Sequence, residues 1–356
     1  MKTRTWLVTG GAGFIGANFI LSQFNPQTVM INVDKLTYAG NPHSLKSLAK
    51  EKNYLFVQGD IGNEALLAEL LQKYQPDAVI NFAAETHVDR SIYDPRAFIQ
   101  TNVVGTFHLL QAALNYWQTL TGPARERFRF LHVSTDEVYG SLEPVDPPFT
   151  EASPCAPNSP YAASKAAADH LVRAYHRTYG LPGIITRSSN NYGPLQFPEK
   201  LIPLVILNAL QGKALPIYGD GQQLRDWLYV EDNCAAMGLV LEGGRIGETY
   251  NIGSGGEEAN LDLVRTICGL LDELRPGSPY APHASLITLV KDRPGHDRRY
   301  ALDCTKINRE LGWQHQETLP TGLVKTIRWY LDNRDWVSSI QTGAYREWVQ
   351  QHYGGT

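Results

Sequence analysis

Two short motifs in this chain have the residue types and spacing for acid–base chemistry. Thr135-Asp136-Glu137 follows the apolar run FRFLHVS and places two adjacent carboxyl groups beside a hydroxyl. Tyr161 and Lys165 stand four residues apart in an Ala-rich segment, so one face of a helix carries both. A nearby ammonium lowers the pKa of a phenol from about 10, which lets tyrosine take a hydroxyl proton as hydride leaves. The two carboxyl groups suggest that elimination of water follows the oxidation.

Alternating strands and helices are predicted to position these motifs. Apolar or β-branched runs alternate with segments whose apolar residues fall at helical spacing, such as 63–74. This order predicts an α/β protein with a Rossmann-like, doubly wound parallel sheet and a smaller C-terminal substrate domain. The predicted strands are 5–9, 29–33, 54–58, 78–82, 128–134 and 183–187.

A glycine-rich turn follows the first predicted strand. TGGAGFIG places Gly10, Gly13 and Gly16 before a helix, where backbone N–H groups can hold a pyrophosphate. Asp34 ends the second strand; its carboxylate would bind ribose hydroxyls and repel a 2′-phosphate, which favours NAD over NADP. The residues expected to contact NAD from the ends of the first four strands are Gly10, Gly13, Phe14, Ile15, Gly16, Asp34, Lys35, Leu36, Thr37, Asp60, Ile61, Phe82, Ala83, Ala84 and Glu85.

Composition limits the other partners. A net charge of −4 provides no general attraction for nucleic acid or an anionic membrane. The four cysteines are scattered, with no cluster at metal-ligand spacing, so neither a metal site nor a disulfide framework is expected. The N-terminal residues run directly into a strand and a glycine turn, leaving no room for a signal peptide. We expect a cytoplasmic protein that holds phosphate groups locally.

Several longer motifs make this chain similar to one known family. AAETHVDRSI, STDEVYG, SPYAASKA, SNNYGPLQFPEKLIPL, RDWLYVED and DRPGHDRRYA resemble motifs of the extended short-chain dehydrogenase/reductase family, and within it those of nucleotide-sugar 4,6-dehydratases. The resemblance covers nearly the whole chain. Epimerases and reductases of the family usually carry a small residue where this chain has Asp136-Glu137. The resemblance therefore favours a dehydratase over an epimerase.

The resemblance also implies a reaction with dTDP-glucose as substrate. Tyr161 would take the proton of the C4 hydroxyl while C4 hydride passes to NAD, with Thr135 near O4. The resulting ketone acidifies the C5 hydrogen, so Glu137 would act as base there while Asp136 protonates the departing C6 hydroxyl. Hydride would then return to C6, which leaves dTDP-4-dehydro-6-deoxy-glucose, water and restored NAD. Lys165 would hold the nicotinamide ribose.

The family's binding residues are carried over only onto matching positions. Arg225 and Arg293 are expected to bind the diphosphate or nucleoside end of the substrate. Two alternatives stay open: Arg225 could instead form a structural ion pair, and Tyr218 could be an aromatic residue of the core. His296 is not expected to be a core histidine. Further NAD contacts implied by the resemblance are Tyr161, Lys165, Thr101 and Asn191. The implied contacts to the nucleotide sugar are Thr86, Thr135, Asn190, Lys200, Leu201, Pro216, Ile217, Tyr218, Arg225, Asn260, Arg293 and His296.

Two domains and a homodimer are expected. The NAD-binding domain would span 1–190, with returning segments at about 224–252 and 312–335. The nucleotide-sugar domain would comprise 191–223 and 253–311, where Pro- and Gly-rich segments interrupt the strand and helix patterns. The family resemblance implies a dimer built through helices at 94–120 and 159–180.

Two kinds of alternative stay open. One keeps the chemistry but changes the substrate or outcome, as in a CDP-glucose or GDP-mannose dehydratase, or an epimerase for another nucleotide sugar such as a UDP-sugar. The other is a non-catalytic NAD-binding sensor, which the fold alone does not exclude. A sensor has no chemical need for Thr135, Asp136, Glu137, Tyr161 and Lys165 together.

Overall fold

The computed structural model describes residues 4–340 and contains three sheets. All six strands predicted from apolar runs are present, and no strand end differs from its prediction by more than one residue. The strands are β1 Arg4–Thr9, β2 Thr28–Asp34, β3 Tyr54–Gln58, β4 Ala78–Asn81, β5 Arg129–Thr135, β6 Gly183–Ser188, β7 Asn190–Tyr192, β8 Leu215–Tyr218, β9 Leu224–Tyr229, β10 Thr249–Ile252, β11 Glu257–Ala259 and β12 Ile287–Val290.

Helices connect and cover these strands. The α-helices are α1 Phe14–Gln23, α2 Glu64–Tyr74, α3 Val88–Tyr93, α4 Arg96–Phe98, α5 Thr106–Thr119, α6 Gly122–Arg127, α7 Pro160–Tyr179, α8 Leu201–Leu210, α9 Val230–Gly243, α10 Asn260–Leu274, α11 Thr305–Leu311, α12 Leu319–Asp332 and α13 Arg334–Ile340. A π-helical segment, Ile99–Gly105, joins α4 to α5. Between residues 4 and 340 no helix combines the length and apolar character needed to cross a bilayer.

The large sheet has seven parallel strands in the order β10-β6-β5-β4-β1-β2-β3. This confirms the predicted fold class. The chain runs outward from β1 through β2 to β3, then returns to the other side of β1 to form β4. Ligands of doubly wound sheets bind beyond the carboxyl ends of the strands at such a reversal. The sheet therefore directs any bound ligand to the edge where β1, β4 and β5 end.

Alternate side chains of the central strands are buried on opposite faces of the large sheet. Trp6 and Val8 join the core that includes α1 and α9, whereas Leu7 joins the core formed with α2, α5 and α7. Because both faces are covered, β1 has a nearly continuous apolar sequence rather than an alternating one. The tight burial of this strand fixes the glycine turn that follows it.

A smaller layer lies beyond the carboxyl edge of the large sheet. β9 pairs with β7 and β11, and β8 pairs with β12. The segment 224–252 is expected from the sequence to return to the first domain. Within it, β10 joins the large sheet and α9 packs against α1, whereas β9 belongs to the three-stranded sheet. The later helix α12 packs against α8, α10 and β9. The exact division into two domains stays a prediction.

Helix α7 carries Tyr161 and Lys165 and begins abruptly for local reasons. The Ser159 side chain accepts a hydrogen bond from the Ala162 backbone N–H, and Pro160 occupies the first helical position. Small alanine side chains let the helix approach β5 and β6 closely. Both functional side chains are consequently buried on the face that looks toward the end of β5.

Candidate active site

One cleft of about 410 Å³ lies over the carboxyl ends of the central strands. It is bordered by the glycine turn after β1, the ends of β2 to β5, the start of α7 and the loops of the smaller layer. Leu36 does not line the cleft. Its backbone has a left-handed conformation, and its N–H donates to Asp34 Oδ1 at 2.8 Å. The predicted residues that do line the cleft are Gly10, Gly13, Phe14, Ile15, Gly16, Asp34, Lys35, Thr37, Asp60, Ile61, Phe82, Ala83, Ala84, Glu85, Thr86, Thr101, Thr135, Asp136, Glu137, Tyr161, Lys165, Asn190, Asn191, Lys200, Leu201, Pro216, Ile217, Tyr218, Arg225, Asn260, Arg293 and His296.

The glycine turn has the close backbone approaches that a dinucleotide site requires. Gly10 has φ +72°, and a Cβ there would lie 2.5 Å from the Ala83 backbone nitrogen. A Cβ on Gly16 would lie 2.4 Å from the Gly10 carbonyl oxygen. Side chains at these two positions would collide with backbone atoms, so the turn requires glycine at both. The turn therefore fits a pyrophosphate held by helix N–H groups.

Asp34 is fixed at the end of β2 by two backbone donors. Its Oδ2 accepts from Ala12 N–H at 2.9 Å, which ties the β2 end to the glycine turn. Burial raises the pKa of this carboxyl, and the backbone hydrogen bonds oppose that shift. Lys35 beside it pairs with Asp60 at 2.7 Å, so its charge is directed away from the Asp34 carboxylate. The buried Asp34 carboxylate can still accept hydrogen bonds from ribose hydroxyls, and its negative charge would repel a 2′-phosphate.

The catalytic side chains predicted on β5 and α7 meet in the cleft. Thr135 ends β5, and its hydroxyl donates to Asp136 Oδ1 at 3.2 Å and acts to lower the pKa of the Tyr161 phenol. The Lys165 ammonium donates to the Val133 carbonyl at 2.7 Å, and burial lowers its pKa to about 8. The pKa of Tyr161 is raised, not lowered as expected from the sequence. Burial, followed by the charge of Glu137, raises the pKa of that phenol.

Asp136 and Glu137 occupy different electrostatic environments. Asp136 is 2 % exposed, and burial together with the Glu137 charge raises its pKa well above the ordinary range. Burial also raises the pKa of Glu137, but three cations oppose that shift, Arg293 most strongly, then Lys200 and Arg225. Pairs of carboxyl groups with such divergent surroundings divide naturally into an acid and a base. Asp136 is suited to donate a proton and Glu137 to accept one.

The nucleotide end of the cleft is rich in cations. Arg293 pairs with Asp89 at 2.8 Å, and the Tyr218 hydroxyl lies 3.2 Å from the same carboxylate. Arg225 is buried, donates to the Asp297 and Leu224 carbonyls, and stacks over a tyrosine ring. A purely structural role, as an ion-pair partner for Arg225 or a core aromatic for Tyr218, does not describe these residues fully, because both side chains also line the cleft.

His296 differs from the expectation that it lies outside the protein interior. Its side chain is only 6 % exposed and is held by Asp292, with Nδ1 2.6 Å from the carboxylate. Burial, with Arg293 nearby, lowers its pKa to about 4, so the imidazole is neutral at pH 7. The ring still borders the cleft and meets Tyr218 edge-on. The polar sequence around it did not reveal this burial.

Several buried polar atoms at the cleft have no hydrogen-bond partner in the described protein. Buried polar groups ordinarily have partners, so a cluster of such atoms on one cavity wall indicates that a polar ligand completes them. These atoms lie on both the expected cofactor side and the expected sugar side of the cleft. The atoms are Ser134 Oγ, Asp136 Oδ2, Asn190 Oδ1, Asn191 Oδ1, Gln196 Oε1 and Asn260 Oδ1.

Sequence reasoning missed Asn102, which connects two walls of the cleft. Its amide accepts from Glu85 N–H at 2.8 Å, donates to the Glu85 carbonyl at 3.0 Å, and donates to Ser164 Oγ at 2.8 Å. Ser164 in turn donates to the Tyr161 carbonyl. Asn102 lies in the π-helical segment, and such segments frequently mark functional sites. Glu199, also missed, faces the same cleft from the loop before α8.

A glycine turn for a dinucleotide, a tyrosine–lysine pair on the next wall and a parallel doubly wound sheet define a short-chain dehydrogenase/reductase. The model of the GDP-mannose 4,6 dehydratase family matches residues 7–326. A dTDP-glucose 4,6-dehydratase of Xanthomonas campestris pv. campestris (strain B100) is 58 % identical over 342 residues, covering 96 % of this chain and 97 % of that protein. Escherichia coli (strain K12) dTDP-glucose 4,6-dehydratase 1 is 56 % identical, covering 98 % and 99 %.

Solved structures show the same relationship. A dTDP-glucose 4,6-dehydratase of Streptomyces venezuelae, solved with NAD and TYD bound, superposes with a TM-score of 0.84 at 46 % identity, covering 95 % of this chain and all of that one. A UDP-glucose 4-epimerase of Thermotoga maritima reaches a TM-score of 0.80 at 29 % identity, covering 93 % and 99 %. This chain belongs to the extended short-chain dehydrogenase/reductase family, among its dTDP-glucose 4,6-dehydratases.

Proposed function

We propose that this protein converts dTDP-glucose to dTDP-4-dehydro-6-deoxy-glucose and water, with NAD used and restored within each turnover. One observation supports dehydration most directly: Asp136 and Glu137 share the cleft with Tyr161 and differ in electrostatic environment. The high identity to dTDP-glucose 4,6-dehydratases along nearly the whole chain supports the same activity. An epimerase needs no such carboxyl pair.

The fit of the cleft to NAD rests on the glycine turn, Asp34 and the unpartnered polar atoms described above. When bound, NAD accepts hydride from C4 of the sugar, later returns it to C6, and in its oxidised form brings positive charge into the cleft. Gly10, Gly13 and Gly16 hold the pyrophosphate, and Asp34 holds the adenosine ribose. Lys165 and Asn191 orient the nicotinamide end.

The first step of the proposed reaction removes the C4 hydroxyl proton. Tyr161 accepts that proton, and the Thr135 hydroxyl hydrogen-bonds near O4 to orient it. Burial raises the pKa of Tyr161, so the phenolate needs compensating positive charge at the moment of reaction. Lys165 supplies part of that charge on the same face of α7. The product of this step is the 4-ketone.

The second step eliminates water across C5 and C6. Glu137 takes the C5 proton, which the neighbouring ketone has acidified, and the electron pair delocalises as an enolate. The C6–O bond then breaks as Asp136 donates its proton to the departing hydroxyl. Burial raises the pKa of Asp136 well above its usual range, which favours the protonated acid, whereas Arg293 and Lys200 favour the ionised base at Glu137. After hydride reaches C6, Glu137 returns its proton to C5.

The nucleotide portion is held by the cationic end of the cleft. We propose that Arg225 and Arg293 neutralise the diphosphate, with Lys200, Asn260 and His296 beside them. Leu201, Pro216, Ile217 and Tyr218 provide the apolar and aromatic surface that a pyrimidine requires. Thr86 and Asn190 contact the sugar. Thr101 and the ends of β2, β3 and β4 contact NAD from the opposite wall.

Comparison of sugars tests this proposal directly. Purified holoenzyme is incubated separately with dTDP-glucose, CDP-glucose, UDP-glucose and GDP-mannose, and each product is analysed by mass spectrometry. We expect loss of one water from dTDP-glucose at a rate well above that for the other three sugars. Preferred turnover of another sugar would identify a different dehydratase. An isomer of unchanged mass would identify an epimerase, and four unchanged sugars would favour the sensor.

A homodimer forms part of the proposal. Exposed apolar side chains occur along the helices that the family resemblance assigns to a dimer, namely Ile99 and Phe107 within 94–120 and Tyr179 at the end of α7. Such residues together suit a self-complementary surface. Light scattering on the purified protein gives the mass directly, and a monomer would contradict this part. The cytoplasmic location, suggested by four scattered cysteines, stays a prediction.

A further inference from the structure

Glu199 is a buried carboxyl group at the cleft that the proposed chemistry does not use. It is 5 % exposed, and its Oε1 accepts a hydrogen bond from the Tyr38 hydroxyl at 3.0 Å. Its Oε2 lies 3.4 Å from the Arg90 guanidinium and 3.8 Å from His87 Nε2. We call these four residues, Tyr38, His87, Arg90 and Glu199, the Glu199 cluster.

The cluster joins three segments that are far apart in the chain. Tyr38 lies in the loop after β2, His87 caps the start of α3 and Arg90 lies within it, and Glu199 precedes α8. Tyr38 and Glu199 are separated by 161 positions. The Arg90 guanidinium also stacks over the Tyr38 ring, 3.7 Å from its centroid. The cluster therefore holds together the loop after β2, the start of α3 and the loop before α8.

Neighbouring contacts reinforce the same junction. Phe197 meets the Tyr38 ring edge-on, with centroids 5.7 Å apart. The Lys200 ammonium donates to the Thr86 carbonyl at 2.9 Å, which ties the loop before α8 to the end of β4 a second time. The loop before α8 is therefore anchored to both the β2 loop and the β4 loop.

These contacts close a ring around part of the cofactor cleft. Asp34 ties the β2 end to the glycine turn through Ala12, and the β2 loop then reaches Glu199 through Tyr38. Glu199 reaches α3, which follows β4, the neighbour of β1 in the sheet. Asp34, His87 and Glu199 line the same cleft, as do Thr37 and Ala39 on either side of Tyr38. A dinucleotide lying between the glycine turn and the loop before α8 is enclosed by the ring.

The chemistry of Glu199 indicates that the junction has a purpose beyond packing. Burial raises the pKa of this carboxyl to about 7, although Lys200, Arg90 and the Tyr38 hydroxyl act in the other direction and Glu85 adds to the rise. An isolated structural contact is made more stably by neutral side chains than by a buried charge. Strongly perturbed groups beside a cleft mark functional positions more often than structural ones.

We propose that Glu199 is a positioning residue that fastens the β2 loop to the loop before α8 across NAD and so slows dissociation of the cofactor. The inference rests on the NAD site of the proposed function, not on the identity of the sugar. Retention matters because the reaction needs the same cofactor molecule twice. Loss of the reduced form between the two hydride transfers would leave the enzyme inactive and the sugar as a ketone.

The protein contains a matched control for the cluster. Tyr250 donates to Glu310 Oε2 at 2.9 Å, and Arg245 lies 3.4 Å from the same oxygen. This tyrosine–glutamate–arginine group repeats the chemistry of the Glu199 cluster away from the cleft. Substitutions there remove equivalent contacts and leave the cofactor ring intact.

The experiment measures exchange of radiolabelled NAD into holoenzyme without any sugar. Four variants are compared with the wild type: Glu199→Gln and Tyr38→Phe in the cluster, and Glu310→Gln and Tyr250→Phe as controls. We expect exchange to accelerate about tenfold or more for Glu199→Gln, because the neutral amide loses the charge attraction to Arg90 and accepts a weaker hydrogen bond from Tyr38. Tyr38→Phe keeps the ring under Arg90 and should give a smaller acceleration. Both controls should exchange at the wild-type rate.

Three outcomes would overturn the inference. Exchange in both cluster variants could stay within about twofold of the wild type, the control variants could accelerate equally, or the wild type itself could lose NAD freely on gel filtration. Tyr38→Phe keeps the test available if Glu199→Gln folds poorly. Faster exchange together with no dehydration of any sugar would uphold this inference and refute the proposed function; normal dehydration with unchanged exchange would do the reverse.

Discussion

Replacing Glu199 by Gln should stabilise the NAD-free protein in a way that depends on pH. The folded protein buries this carboxyl, so its folded pKa lies near 7, above the ordinary value of 4.5. A group with a raised folded pKa contributes stability that is fully present below the unfolded pKa and is lost as pH rises through the folded pKa. The glutamine variant does not ionise and has no such loss.

The size of the effect follows from the shift. The two pKa values differ by two to three units, and each unit corresponds to about 1.4 kcal/mol. Over the interval from about pH 5 to about pH 8, the wild type should lose roughly 2.5 kcal/mol of unfolding free energy relative to Glu199→Gln. Other groups contribute equally to both proteins and cancel in the difference.

Urea unfolding of NAD-stripped protein, followed by tryptophan fluorescence, provides the measurement. Wild type and Glu199→Gln are unfolded at several pH values in the interval, and the difference in unfolding free energy is plotted against pH. Glu310→Gln is the control, because hydrogen bonds from Tyr250 and Arg309 hold the pKa of Glu310 below its usual range. That variant should gain no stability as pH rises. A Glu199→Gln difference that changes by less than about 1 kcal/mol would refute the reasoning.

Four further predictions concern the cleft. Glu137→Gln should leave hydride transfer from C4 detectable by nicotinamide absorbance while slowing water loss by about 10²- to 10⁴-fold; normal dehydration would defeat the assignment. The C4 oxidation rate should decline above about pH 8, where Lys165 loses its proton, and kcat/KM rising steadily past that pH would contradict this. Gly16→Ala should purify folded, by circular dichroism, but without NAD, because its Cβ meets the Gly10 carbonyl at 2.4 Å; full NAD content would argue against the turn as the pyrophosphate site. Arg293→Ala removes the strongest influence lowering the pKa of Glu137, so the acidic limb of the dehydration profile should move to higher pH, and an unmoved limb would exclude that role.

Local patterns account for the parts of the fold and site that sequence reasoning located. β1 and β5 are short apolar runs whose burial on both faces leaves a continuous apolar sequence. The glycine turn depends on backbone geometry that only a few residues create, so its spacing is visible in the chain. Tyr161 and Lys165 share a helix face by their separation alone. Parallel strands then bring Asp34 and Thr135 to one edge without further information.

Asn102 and the Glu199 cluster could not be found in this way. Asn102 reaches Glu85 across 17 positions and Ser164 across 62, and no local pattern records such contacts. The same limit applies to His296, whose polar sequence surroundings pointed away from burial. Only packing decides which polar side chains lose their water.

The amino-acid sequence by itself determined the sheet, the cofactor turn and the identity of the reacting groups, because these depend on short-range periodicity and on residue chemistry. The tertiary structure alone decided the electrostatic environment of each reacting group. Asp136 and Glu137 are adjacent in the chain and nearly identical in chemistry, yet burial and the Glu137 charge raise the pKa of Asp136 well above its usual range, while Arg293 and Lys200 oppose the rise that burial causes at Glu137. Electrostatic environment is a property of the folded arrangement, since it sums contributions from residues that only folding brings together.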